Sequence, residues 1–218
     1  MDYRTLTISR EYGSGGARVA QILAEWLGWK LLDGALIDAI ARAAHVDMSV
    51  VQHYDEHVES WLRSLNQQAM RAAALAAGIA LNGQNCFDED MMTALTRQIV
   101  EQAYSTGNCV IVGRGAQCIL QRQPGVYHVF VYAPFRERLH RLRQRLGSAV
   151  NVEHRIQEID SARAQYLHQR FATKWNDPHL YNLMISSSED ESATARIIFY
   201  AMTGRSQTES EHLQSTSG

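Results

Sequence analysis

The sequence has few cysteines, and those it has form no pattern. Cys86, Cys109 and Cys118 are far apart and make no CxxC pair. An odd number without a framework excludes a disulfide-stapled scaffold and points to a reducing compartment. Cys109 opens the apolar run NCVIVG, where a thiol is expected to be buried and inert. No apolar run approaches the ~20 residues of a membrane-spanning helix. The N-terminus MDYRTLTISR is charged where a signal peptide needs an apolar stretch. A soluble, cytoplasmic protein is therefore expected. An excess of one charge sign is missing too: 21 Lys and Arg stand against 23 Asp and Glu, for a net charge of −2 and a pI near 6.5. That balance argues against bulk attraction to nucleic acid. His53 and His57 have helical i, i+4 spacing but no third ligand and no HExxH pattern, so no zinc site is expected.

What is present is an ordinary globular composition, 45% hydrophobic and 20% charged over 218 residues, enough for one domain with a sizeable core. Five short apolar runs read as buried strands: Thr5–Ser9, Trp29–Leu32, Asn108–Val112, Tyr127–Tyr132 and Leu183–Ser186. Helical patterns between them predict an α/β fold with a parallel sheet. After the first run, Val19, Ile22, Leu23, Trp26 and Leu27 form one apolar stripe that Gly28 ends. Leu36, Ile37, Ile40, Ala41 and Ala44 repeat the pattern. Some 75 residues separate the second and third strands, too many for one crossover. Helices are predicted from Asp47 toward Glu59, over 60–81 and over 88–106, with a turn at 82–85. This helical insertion suits a substrate clamp or a homodimer interface. Arg136–Arg145 carries five arginines and His140 and leads into a long polar helix reaching about Lys174. The last helix is expected over roughly 189–202. The serine-rich tail from 204 to 218 is expected to be disordered. Trp61, Tyr166 and Trp175 are scattered aromatics that suit core packing better than base stacking.

The chemistry begins at residues 9–20, SREYGSGGARVA. Glycines at a helix N-terminus let backbone N–H groups converge on an anion, with the helix dipole in support. Gly13, Ser14, Gly15 and Gly16 meet that requirement, and so does the competing reading of a tight turn that binds nothing. The phosphate-loop pattern GxxxxGK[ST] is not met. With Gly15 at its last glycine, Arg10 replaces the first glycine and Gly16 the lysine. Ala17 replaces the hydroxyl residue that holds magnesium.

Later stretches carry a resemblance. LGWKLLDGALIDAIA at 27–41, VIVGRGAQCIL at 110–120, YHVFVYAPFRERLHRLRQRL at 127–146, EIDSARAQYL at 158–167 and LMISSSE at 183–189 follow the glycine loop in order. Together they resemble the cytidylate kinase-like family, whose loop reads ISRxxGSGG without the lysine. The resemblance implies a three-layer P-loop kinase fold with a parallel five-stranded sheet, a helical insertion at about 45–106 and an arginine-bearing lid at about 136–174. It also implies a single domain over 1–203. The implied reaction is phosphoryl transfer from ATP, with Mg2+, to a nucleoside monophosphate such as CMP or dCMP. Positioning and charge neutralisation dominate such transfers.

Residue by residue, the resemblance implies that Gly13 to Gly16, with Ala17 and Arg18, cradle the donor phosphates. Asp33 would orient the acceptor, or simply cap a helix. Arg114 would hold the acceptor phosphate, although the aspartate that follows it in the family is Gly115 here. Asp160 and Arg163, three apart on one helix face, would contact the acceptor, or form a surface ion pair. Arg141 and Arg145 would make a lid face over the phosphates, against the plainer readings of a solvated helix face or an RNA-contacting patch. Arg10 or Arg18 would supply the missing lysine's charge, unless Arg10 pairs with Glu11. No magnesium ligand is identified. Two other readings stay open: a kinase-fold nucleotide- or anion-binding regulator without transfer activity, and a kinase for another small acceptor.

Overall fold

The computed structural model describes residues 3–34, 37, 89–147 and 150–204. The chain divides into two compact units, Met1–Leu31 with Asn108–Gly218, and Leu32–Gly107. The helices expected at 47–59 and 60–81, the turn at 82–85, Cys86, His53, His57, Trp61 and the tail beyond 204 lie outside the described residues. The proposed dimer surface lies largely there too.

The first unit is built on a sheet whose central strands are buried on both faces. β1 (Thr5–Arg10), β2 (Lys30–Leu32), β3 (Cys109–Val112), β4 (Val126–Tyr132) and β5 (Leu183–Ser186) form one sheet in the order β2-β3-β1-β4-β5. β1 runs parallel to β3, with Ile8 opposite Val112, and parallel to β4, with Arg10 opposite Val131. β4 pairs in parallel with β5. The carboxyl ends of β1, β3 and β4 therefore emerge side by side, where ligand sites of open parallel sheets form.

Helix α1 (Gly16–Leu27) and the C-terminal helix cover one face. Leu6 and Ile8 of β1 point into that layer with Val19, Ile22 and Leu23 of α1 and Ile198 and Phe199 of the last helix. Trp26 meets Phe199 edge-on at 6.3 Å. Gly28 ends α1 in the left-handed conformation at φ +63. In the second unit, α2 (Glu89–Thr106) buries Leu95, Ile99, Val100 and Ala103, the stripe an amphipathic helix presents. α3 (Ala116–Ile119) is short. α4 (Phe135–Leu146) and α5 (Val152–Phe171) form a helical hairpin, and α6 (Glu191–Thr203) starts where the Asp190 side chain accepts the Ala193 N–H at 2.6 Å. No helix among the described residues is long and apolar enough to cross a membrane.

The opposite face of β1 carries Thr5, Thr7 and Ser9, all buried. Cys109 lies 3.7 Å from Thr5 Oγ1, and burial pushes its thiol up to about 11, which keeps it inert. Trp175 and Tyr181 pack on Phe130, and Tyr166 on Phe171, so Tyr166 and Trp175 serve packing. Thr7 Oγ1 bonds to His128 Nδ1 at 2.7 Å. Burial lowers His128 from 6.5 to about 4, opposed by a bond with the Leu120 backbone. A depressed histidine must be neutral in the fold, so the stability it protects is complete above pH 6.5 and drains away as pH falls toward 4. The loss amounts to about 3 kcal/mol. Urea midpoints measured from pH 7.5 down to 4 check this: His128→Gln should flatten the profile, and parallel profiles would assign the acid loss elsewhere.

Candidate functional site

Between β1 and α1 the chain makes a loop that needs glycine twice. Gly13 at φ +82 and Gly15 at φ +78 are left-handed, and added side chains there would meet Leu142 and Glu191. Gly15 caps α1 without any side-chain acceptor. The N–H groups of Gly13, Gly15, Gly16 and Ala17 meet no acceptor among the described residues. Ser14 is buried, and its hydroxyl donates to the Glu11 carbonyl at 2.9 Å, so it folds the loop instead of facing a ligand. In front of the loop lies a cavity of about 360 Å3, bordered also by Arg10, Arg18, Arg141, Arg145, Arg163 and Glu191. Free N–H groups, a helix N-terminus and five arginines make a site for a polyanion.

Behind the loop is a buried ionic network that the sequence reading did not single out. Arg138, 8% exposed, donates to Asp160 Oδ2 at 2.5 Å and to the Tyr12 carbonyl at 3.3 Å. Its Nε lies 3.3 Å from Glu11 Oε2, as an ion pair without hydrogen-bond geometry. Asp160 Oδ1 accepts the Tyr12 N–H at 2.8 Å, and Glu11 Oε2 accepts the Ala133 N–H at 3.1 Å. Arg163 donates to the Arg10 carbonyl at 2.8 Å, lies 3.7 Å from Asp160 and sits over the Tyr12 ring at 6.0 Å. Leu142, Val152 and Ile156 close an apolar cluster against Tyr12, which packs the hairpin onto the loop.

Arg141 bonds to the Ser14 carbonyl at 3.3 Å, the Ser187 carbonyl at 2.5 Å and the Glu189 carbonyl at 3.1 Å. The Ser187 hydroxyl also donates to the Ser14 carbonyl. The expected lid face of Arg141 and Arg145 thus divides. Arg141 is committed to the backbone, while Arg145 is exposed at the cavity edge and has no hydrogen bond or ion pair among the described residues. Asp160 is likewise occupied by Arg138 and Tyr12, and only Arg163 of that pair also borders the cavity.

Arg10 presses its stem on Gly16 and turns its guanidinium onto Gly113 at the end of β3. Its charge is thus aimed past the lysine position. Glu11, the alternative partner for Arg10, is paired with Arg138. Arg18 reaches Gln21 at 3.3 Å along α1 and is largely exposed. Arg114 is left-handed at φ +57 between two left-handed glycines, Gly113 and Gly115. Burial pulls the Arg163 guanidinium below its ordinary value; Asp160 and Tyr12 oppose this, and the neighbouring Arg114 charge adds to it. Gly115, where the family aspartate stood in the sequence comparison, backs onto the Phe171 ring. Asp33 is exposed, and its carbonyl accepts the Ile37 N–H at 3.0 Å as a helical turn begins.

Sequence periodicity did not distinguish Arg138 from its arginine-rich neighbours. Glu191 was missed because nothing in the sequence places the start of α6 beside the loop. Among the described residues, no three of His, Cys, Asp or Glu converge on a metal-sized site. Ala17 brings no hydroxyl. The described residues thus offer magnesium no protein-built cage, and Mg2+ that keeps its waters on phosphate oxygens needs none.

Comparison with known proteins follows the same lines. The model of the cytidylate kinase-like family matches residues 5–189. No curated protein matches the sequence. A crystal structure of an uncharacterized protein from Eubacterium ventriosum aligns with a TM-score of 0.67 at 20% identity, over 92% of this chain and 99% of that one. A gluconokinase from Sinorhizobium meliloti aligns with a TM-score of 0.50 at 13% identity, over the whole of both chains. These likenesses establish the fold.

Proposed function

The chain belongs to the cytidylate kinase-like family, and from that premise we propose that it is a cytoplasmic enzyme transferring the γ-phosphoryl group of ATP to a nucleoside monophosphate, with CMP or dCMP the leading acceptor. The observation that carries this reading is the set of N–H groups at Gly13, Gly15, Gly16 and Ala17 that meet no acceptor among the described residues and border an arginine-lined cavity. Those amides would take the donor phosphates, with Arg145 and Arg18 neutralising charge at the rim. Arg10, Arg114 and Arg163 gather at the carboxyl ends of β1 and β3, where a dianionic acceptor would relieve their mutual repulsion. Asp33 stands as the acceptor-orienting group. Asp160 would act indirectly, by fixing Tyr12 and Arg163. Magnesium would enter on the nucleotide.

One measurement tests the reading: ADP release by the purified chain with ATP, Mg2+ and a panel of nucleoside monophosphates. Turnover with at least one monophosphate is expected, highest with a cytidine nucleotide. ATP binding without turnover on any acceptor would instead support the kinase-fold binding module. The absent loop lysine and the commitment of Asp160 and Arg141 to protein partners favour that second reading. Gly15→Val should abolish ATP binding under either.

A further inference from the structure

Every second carbonyl of the loop is bonded to an arginine. Arg163 takes the carbonyl of Arg10, Arg138 that of Tyr12 and Arg141 that of Ser14. The three guanidiniums come from α5 and α4 and hold the loop's carbonyl side. In a trans peptide, the carbonyl of one residue and the N–H of the next belong to one planar unit and point opposite ways. The N–H partners of the Tyr12 and Ser14 carbonyls are those of Gly13 and Gly15, two of the groups that meet no acceptor among the described residues.

We propose that the missing loop lysine is replaced from behind, by Arg138 and Arg141 acting through the Tyr12–Gly13 and Ser14–Gly15 peptide groups. A cation bonded to a carbonyl oxygen polarises the peptide and makes its N–H a stronger donor, an effect of roughly 10–30% per bond. Arg138 is buried and Arg141 is half-buried, and groups so placed are screened less than exposed ones. They also fix the direction of the N–H groups before any ligand arrives. The two differ in net effect. Arg138 is matched by Glu11 and Asp160, whereas the nearest carboxylate to Arg141 is Glu137 at 4.0 Å. Arg141 is therefore the stronger source of uncompensated charge. Arg141 borders the cavity as well, but its guanidinium is bonded to carbonyls, so both arginines are positioning residues in this proposal.

The proposal rests on the nucleotide-binding reading, and the test separates the two. Calorimetric titration of the full chain with ATP, and separately with inorganic tripolyphosphate, is compared among wild type, Arg141→Lys and Arg141→Met. Methionine should weaken tripolyphosphate binding by about tenfold or more, the weight of one charge-assisted bond. Lysine, which returns the charge without the fork, should recover part of that loss. In the ligand-free protein, the Gly15 amide nitrogen resonance should move in the methionine variant and stay near its place in the lysine variant. Equal tripolyphosphate affinity in methionine variant and wild type overturns the proposal, as does equal loss in methionine and lysine variants. Should the methionine variant fail to fold, Arg141→Gln takes its place under the same criteria. Failure of wild type to bind either ligand overturns the nucleotide reading, and this inference with it.

Discussion

Restoring the familiar lysine to the loop, Gly16→Lys, is expected to destabilise the protein by about 2–3 kcal/mol, the scale of overpacking in a closed site. Gly16 is not left-handed, so backbone strain is not the obstacle. The obstacle is Arg10. A Cβ at Gly16 would lie 2.5 Å from the Arg10 Cβ and 3.4 Å from that of Val131. A contact with a Cβ cannot be relieved by rotating a flexible side-chain end. The two departures from the phosphate-loop pattern, arginine for its first glycine and glycine for its lysine, are on this geometry one departure made twice. Arg10→Gly should therefore rescue Gly16→Lys. In a thermal denaturation cycle, the lysine variant should melt roughly 5–10 °C below wild type. The double variant should recover most of that, for a coupling of about 2 kcal/mol. Additive effects, or a lysine variant as stable as wild type, would separate the two positions. Acceptor KM offers a second reading: removal of the Arg10 guanidinium from Gly113 should raise it whatever happens to stability.

The same pair of residues shows what the sequence could convey. The position of the loop was plain, because Leu6, Ile8 and the Val19–Leu27 stripe specify a buried strand followed by an amphipathic helix. Leu183–Ser186 matches the observed strand residue for residue and Thr5–Ser9 to within one; Thr5–Ser9 is fully buried, whereas Leu183–Ser186 is a half-buried edge strand whose short apolar run is bounded by polar residues. The last helix, expected over roughly 189–202, starts two residues later, where Asp190 caps it. Which arginines matter was less legible. In FRERLHRLRQRL, arginines recur so densely that any helical face collects two or three of them. Only packing on Tyr12 decides that Arg138 and Arg141 turn inward and Arg145 outward. Asp160 and Arg163 do lie 3.7 Å apart, but their spacing carries no sign that Asp160 would be claimed by Arg138 and a loop N–H. Such partners come from residues more than 20 positions away, beyond the reach of local periodicity.

Replacing Arg114 by glycine is expected to cost about a hundredfold or more in kcat/KM for the acceptor, the scale of losing one preorganised donor to a developing anion. Stability should hardly fall. Arg114 adopts φ +57, a conformation that costs a non-glycine residue about 1 kcal/mol or more. Glycine relieves that strain while giving up a similar amount to the freedom of the unfolded chain. Alanine keeps the strain and loses the charge but carries no such entropy cost, so Arg114→Ala should lie within about 0.5 kcal/mol of Arg114→Gly in stability while being equally inactive. The strain is consistent with function: held between Gly113 and Gly115 at the end of β3, Arg114 places its charge near Arg163, already depressed chiefly by burial. An acceptor phosphate would neutralise both charges at once, and Arg114→Lys should recover part of the loss by returning charge without the bidentate fork. Denaturation midpoints of the three variants, set beside their acceptor kinetics, decide the matter. A glycine variant that keeps acceptor kcat/KM would remove Arg114 from the reaction. One that melts far below the alanine variant would make it a structural staple, with the left-handed turn serving the fold alone.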